Sequence, residues 1–183
     1  MRMIRTGVVV MSALAIVWPA PASNAKPAAL VQGPRSPACT ITGTNGRDEI
    51  GGTPGDDVIC TLKGADYVNG RGGDDVILLG PGSDGFNGGG GNDTVYGGAG
   101  RDWGDTGPGD DEFYGQGGGE YIVSAGHGTD VLNGGAGDDS CLATWDNAGG
   151  DTVIGGPGHD IWGGDPGDTA QSVEEGPYHC EGG

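Results

Sequence analysis

Basic residues are scarce in this chain: 8 Lys and Arg stand against 26 Asp and Glu in 183 residues, a formal charge of −18. A field of that sign repels nucleic acid and anionic membrane surfaces, so neither is expected as a partner. Long hydrophobic runs are missing too. The one apolar stretch, Val8 to Val17, is about ten residues, half of the roughly 20 that a membrane span needs. Catalytic signatures are equally thin: there is no His-Glu-x-x-His zinc motif and no Gly-x-Ser-x-Gly elbow, and neither Ser83 nor Ser140 has the elbow's flanking glycines. The histidines, His127, His159 and His179, are spread along the chain without clustering and read as solvated turn and tail residues. No Cys-x-x-Cys pair occurs, so the four cysteines do not suggest a zinc site or a dithiol redox centre. No catalytic residue is assigned, and an enzyme is not expected.

Glycine, by contrast, is abundant, with 44 residues, and its placement is ordered. Thirteen times between Gly43 and Gly163 a glycine lies two residues before an acid and an apolar residue two after it, mostly on a nine-residue beat. The fourth position of this nonad is always glycine: Gly46, Gly55, Gly64, Gly73, Gly82, Gly91, Gly100, Gly109, Gly118, Gly128, Gly137, Gly149 and Gly158. The sixth is always acidic: Asp48, Asp57, Asp66, Asp75, Asp84, Asp93, Asp102, Asp111, Glu120, Asp130, Asp139, Asp151 and Asp160. The eighth is mostly apolar (Ile50, Ile59, Val68, Ile77, Phe86, Val95, Phe113, Ile122, Leu132, Val153, Trp162), with Gly104 and Cys141 as departures. Low-complexity disorder does not produce so strict a period. Slips at Ser124 and at Ala143 to Trp145 interrupt the beat.

Each nonad reads as half a coil: a six-residue glycine-rich turn, then a three-residue strand whose middle side chain points inward. Two nonads close a coil of 18 residues. The expected fold is all-β, a right-handed parallel β-roll (β-solenoid) of about six to seven coils. One apolar residue per half coil is a poor core, and stacked acids repel one another, so the chain by itself is expected to be largely unfolded. A hard divalent cation with six to eight oxygen ligands would supply the missing free energy; calcium suits this better than magnesium, which sheds water reluctantly.

These residues resemble the repeats-in-toxin (RTX) calcium-binding proteins, whose nonapeptide is G-G-x-G-x-D-x-U-x with U apolar; Gly88-Gly89-Gly90-Gly91-Asn92-Asp93-Thr94-Val95-Tyr96 is the clearest unit. The resemblance implies several Ca²⁺ ions, each between two turns of one flank. Ligands on one flank would be the carboxylates of Asp57, Asp75, Asp93, Asp111, Asp130 and Asp151. On the other they would be Asp48, Asp66, Asp84, Asp102, Glu120, Asp139 and Asp160. Turn carbonyls of Gly73, Gly82, Gly91, Gly100, Gly109, Gly137 and Gly158 would complete the shells. Local departures predict weak points: Leu62 and Lys63 replace small turn residues, Glu120 is one methylene longer than Asp, Gly104 leaves an inward position vacant, and Ala143 to Trp145 bulges as a loop.

Residues 1–25 read as an export signal, with basic Arg2 and Arg5 before the apolar stretch and small residues after Pro19, so a secreted, extracellular bacterial protein is expected. Residues 26–42 would form an N-terminal cap, 43–163 the roll, and 164–183 a C-terminal cap and tail beginning with a decayed repeat at Gly164 to Asp168. In an exported chain Cys39, Cys60, Cys141 and Cys180 read as two disulfides. Cys60 and Cys141 would lie roughly 20 Å apart along the stack, beyond the Cα limit of about 7 Å, which removes one of the three pairings; joining each end of the roll to its flanking tail gives Cys39–Cys60 with Cys141–Cys180 as the expectation. The chain is expected to be a monomer with calcium ions as partners. Outward aromatics Tyr67, Tyr96, Trp103, Tyr114 and Tyr121 leave open an alternative role in adhesion or in binding an extracellular surface or polysaccharide. Fifth-position residues form no regular Thr or Asn array, which disfavours ice binding.

Overall fold

A computed structural model describes residues 38–144, 146 and 150–173. The expected signal segment, most of the N-terminal cap, and Cys180 lie outside the described residues. All described regular structure is strand, wound into a parallel β-solenoid of about seven turns. Eight strands stack in one sheet: β1 (Ile41–Thr42), β3 (Val58–Cys60), β5 (Val76–Gly82), β7 (Thr94–Gly100), β9 (Glu112–Gly117), β11 (Val131–Asn133), β13 (Thr152–Ile154) and β15 (Thr169–Gln171). Seven stack in the other: β2 (Glu49–Gly51), β4 (Tyr67–Asn69), β6 (Gly85–Asn87), β8 (Trp103–Asp105), β10 (Ile122–Ser124), β12 (Leu142–Thr144) and β14 (Trp162–Gly164). Every strand pairs in parallel with the strand one coil away, because each nonad sends the chain to the opposite sheet. No described helix is long and apolar enough to cross a membrane.

The core lies between the sheets and is one side chain wide on each. In the eight-stranded sheet the inward column is Ile41, Ile59, Ile77, Val95, Phe113, Leu132, Val153 and Ala170. In the other it is Ile50, Val68, Phe86, Gly104, Val123, Leu142 and Trp162. Two positions differ from the eighth-position rule: Val123 and Leu142, both fully buried, hold the places expected of Ile122 and Cys141. The spare residue sits between Glu120 and Val123 rather than at Ser124. Tyr121 still donates its backbone N–H to Asp102 O, while Ile122 pairs with Trp103, so two residues oppose one as in a β-bulge. The bulge turns Val123 inward and the next coil repeats it. Leu79 and Ala125, at the first position of their turns, add buried apolar corners that the eighth-position rule overlooks.

The vacancy expected at Gly104 is filled from the preceding coil. A Cβ at Gly104 would lie 2.7 Å from Cδ1 of Phe86, whose ring stacks on Phe113 of the opposite sheet at 5.4 Å. Glycine there makes room for a larger neighbour. At the ends the ladder extends past the nonads. β1 adds a rung before Gly43, tied by the Cys39–Cys60 disulfide with Cα atoms 5.9 Å apart. The decayed repeat at Gly164 to Asp168 leads into β15, which pairs with β13. The second expected disulfide ends at Cys180 and so falls outside the described residues; no described cysteine is a free thiol.

Candidate metal centres

The strict acids are placed by the turn that precedes each strand. Within the interior coils their side chains fold back under the turn, so Asp66, Asp75, Asp84, Asp93, Asp102, Asp111, Asp130, Asp139 and Asp151 are all buried. One carboxylate oxygen has a fixed partner: Oδ1 accepts from the backbone N–H of the acid one coil earlier. The bonds run Asp48 to Asp66, Asp66 to Asp84 and Asp84 to Asp102 on one flank, and Asp57 to Asp75, Asp75 to Asp93, Asp93 to Asp111, Asp111 to Asp130 and Asp130 to Asp151 on the other, at 2.7 to 2.9 Å. Beyond the bulge, Glu120 N–H donates to Asp139 at 3.0 Å and Asp139 N–H to Asp160 at 3.1 Å.

The second oxygen is different. Oδ2 of each of those nine interior aspartates is buried with no hydrogen-bond partner. In Asp93 and Asp102 it points back over the first glycine of the same turn: a Cβ at Gly88 would sit 2.6 Å from Asp93 Oδ2, and one at Gly97 2.7 Å from Asp102 Oδ2. A buried acceptor left unmade costs about 1–3 kcal/mol, and more when charged. Seven of the nine carboxyls resist ionisation. Burial pushes Asp84 and Asp102 up to about 6, and Asp93 and Asp130 up to about 7. Asp75, Asp111 and Asp151 are raised for the same reason.

The expected turn carbonyls also stack. A methyl on Gly91 would strike the carbonyl oxygen of Gly73, one on Gly109 that of Gly91, one on Gly100 that of Gly82, and one on Gly158 that of Gly137. Gly91 itself has φ +125°, a backbone state L side chains avoid, so both conformation and contact exclude substitution there. Among the described residues no group of three or more His, Cys, Asp or Glu side chains converges as a cage. The donor set at any level is therefore at most two carboxylates supplemented by carbonyls, all oxygen, which fits a hard cation such as Ca²⁺.

The array has ends. Asp48 is half-exposed and accepts from Thr44 N–H at 2.6 Å, while Asp57 accepts from Thr53 N–H at 2.7 Å and from Thr40 Oγ1 at 3.1 Å. The Thr53 amide holds the Asp57 carboxyl below its ordinary value, the reverse of the interior acids. At the far end Asp168 Oδ1 accepts from Gly150 and Asp151 N–H, and Oδ2 from Asp165 N–H and Thr144 Oγ1. In these terminal acids Oδ2 has a protein partner, where in the interior ones it has none. Sequence reasoning missed Asp168, though an acid following Gly167 in a decayed repeat was the available signal. It also missed Asp146, a buried carboxylate from the inserted loop lying 3.4 Å from Gly128 N and 3.6 Å from His127 Nδ1.

Glu120 breaks its flank. Both of its carboxylate oxygens are buried without a hydrogen-bond partner, and burial followed by the nearby Asp139 carboxyl holds it well above the usual carboxylate range. Leu62 does not break its turn: it takes φ +80°, beside φ +83° at Gly80 one coil on, and leaves its side chain exposed. Fifth-position residues form an outer ladder. Asp56 accepts from Asp74 N–H, Asp74 from Asn92 N–H, Asn92 from Asp110 N–H and Asp110 from Thr129 N–H, at 2.8 to 3.0 Å.

A family model described as the RTX calcium-binding nonapeptide repeat matches residues 40–68, 51–86, 70–104, 80–113, 96–126 and 122–141, which together cover more than half of the chain. No curated protein and no solved structure matches it. With the nine-residue period wound into a parallel β-solenoid and the sixth-position carboxylates stacked coil on coil, the chain belongs to the RTX calcium-binding nonapeptide repeat family.

Proposed function

We propose that this chain is a secreted, non-enzymatic protein that binds several calcium ions between successive turns on both flanks, and that binding is coupled to folding. The observation that carries this reading is the row of buried, partnerless Oδ2 atoms in the interior coils. Each marks a place where the chain brings an anionic oxygen out of water without a protein donor to meet it, at a cost repeated coil after coil. Bound calcium would supply the positive charge that keeps those carboxylates ionised. The chain's own part is to aim them: Oδ1 is held by the amide of the preceding coil, which fixes the rotamer and turns Oδ2 toward the turn. Interior pairs such as Asp75 with Asp93 and Asp93 with Asp111 are the proposed ligands, assisted by the carbonyls of Gly73, Gly91 and Gly109. Asp48 and Asp57, already engaged by threonines, would bind weakly. An extracellular setting suits such a device, since the signal-like first 25 residues would export the chain to where calcium is plentiful.

The test is circular dichroism and isothermal titration of the oxidised chain with CaCl₂, then chelator, with MgCl₂ as comparison. Calcium-dependent, chelator-reversible gain of strand signal is expected, with several ions per chain. Full strand signal in chelator would refute the coupling, and no calcium uptake at millimolar concentration would refute the function.

A further inference from the structure

The two sheets differ on their outer faces. On the eight-stranded sheet the outward tyrosines are self-packed: Tyr96 and Tyr114 stack at 5.4 Å, and the Tyr114 hydroxyl donates to Glu112 Oε2 at 3.1 Å. On the seven-stranded sheet the outward aromatics are open, with Trp103 48 % and Tyr121 54 % exposed. Trp103 leans across Gly85 to meet Tyr67, their ring centroids 6.0 Å apart and their planes 37° from each other. A Cβ at Gly85 would lie 2.6 Å from the Trp103 ring and 3.0 Å from that of Tyr67, so glycine there lets the two rings form one platform. Arg101 lies over the Tyr121 ring, 5.1 Å from its centroid.

Two residues further along the same strands runs a second outward column: Asn69, Asn87, Asp105 and Ser124 lie in register, one per coil. Asp105 is held by the Gly107 amide, which donates to its Oδ1 at 2.9 Å. Together the aromatic and polar columns bound a groove of about 510 Å³, lined by Tyr67, Trp103 and Tyr121 with Asn87, Asp105 and Ser124. That size lies within the range of small-molecule sites, roughly 300–1,000 Å³, and the lining has their usual form of apolar walls with a few placed polar groups.

We propose that this groove binds a neutral oligosaccharide, a function separate from the calcium array. Aromatic planes suit the C–H faces of pyranose rings, and the row of amide, carboxylate and hydroxyl beside them suits the ring hydroxyls. Tyr67 and Trp103 are too close for a cation to enter between them, so they form a stacking floor rather than a cage. From Tyr67 to Tyr121 is three coils, about 14 Å at the usual strand spacing, which gives the groove room for several sugars. The Asp105 carboxylate in the groove wall disfavours acidic sugars. A second copy is not the fitting occupant, since the eight residues that line the groove are far fewer than the roughly 20–30 per side of a stable interface. Arg101 over the groove-lining Tyr121 ring opposes cationic partners, which would be drawn instead to the acidic turns.

The test uses the full oxidised chain in saturating CaCl₂, its strand signal checked first, so that a folding or calcium failure is seen before any sugar is added. Cellopentaose, xylopentaose, maltopentaose and chitopentaose are titrated by calorimetry and by tryptophan fluorescence. Saturable binding of at least one is expected, weakened about tenfold or more by Trp103→Ala and by Asn87→Ala, and less than about twofold by Tyr96→Ala on the opposite sheet. Should Trp103→Ala lose its calcium-induced strand signal, the exposed-face variant Asn87→Ala decides. Absence of binding to all four, binding indifferent to both groove variants, or a groove-dependent dimer in sedimentation would overturn the proposal.

Discussion

Replacing Asp93 with asparagine should change stability in opposite directions with and without calcium. Asp93 is 1 % exposed; its Oδ1 accepts from Asp75 N–H at 2.8 Å and its Oδ2 has no partner. Asp93→Asn keeps the accepting oxygen and the shape while removing the charge. Without calcium the wild-type roll must either bury an unpaired carboxylate or protonate it, and its value near 7 shows that neither is free at neutral pH. Relief of that penalty is worth about 1–3 kcal/mol in favour of the metal-free fold. With calcium the sign reverses, because Asp93 lies between Asp75 and Asp111 and its loss weakens the proposed sites on both sides. Removing one partner of a buried charge interaction costs about 3–5 kcal/mol. The assay is a pair of titrations followed by circular dichroism: urea unfolding in CaCl₂, and osmolyte-driven folding in chelator, since excluded osmolytes favour compact states. Asp93→Asn should unfold at lower urea than wild type in calcium and fold at lower osmolyte in chelator. A shift of the same sign in both conditions would refute the reasoning, for Oδ2 would then be satisfied by the protein and not by an ion.

Acid should have a related effect on the metal-free chain. Folded-state values of about 6 for Asp84 and Asp102 and about 7 for Asp93 and Asp130 exceed the unfolded value of about 3.9, so the folded form holds more protons in between. Metal-free stability is therefore greatest near pH 4 and falls as pH rises toward 7; strand signal in chelator, followed by circular dichroism, should grow on acidification. Glu120→Asp should supply the acceptor for Asp102 N–H that the longer side chain fails to provide, raising stability in calcium by about 1 kcal/mol in urea unfolding. Leu62→Gly should stabilise by roughly 0.5–1 kcal/mol, the relief of a left-handed leucine at φ +80° partly offset by the entropy of glycine, read as a higher urea midpoint in calcium.

Much of the array is legible in the amino-acid order because a solenoid is nearly one-dimensional. A residue's neighbours above and below are those one coil away, so the recurrence of Asp75, Asp93 and Asp111 every 18 residues already stacks them, with no need to know how distant segments pack. The inward column of the eight-stranded sheet is legible on the same ground. Where the beat slips, that logic stops. The spare residue after Glu120 could sit anywhere before the next turn, and sequence offers no means to choose; ladder pairing places it at Tyr121 and Ile122, sending Val123 and Leu142 inward, since a one-residue shift exchanges the two faces of a strand. Contacts between side chains of different coils are likewise decided only in three dimensions: Phe86 over Gly104, Trp103 over Gly85, and the threonines that occupy Asp57 at the edge of the array. The period sets which residues share a level of the stack. Which side chain reaches into its neighbour's space depends on volumes and rotamers that exist only once the coils are closed.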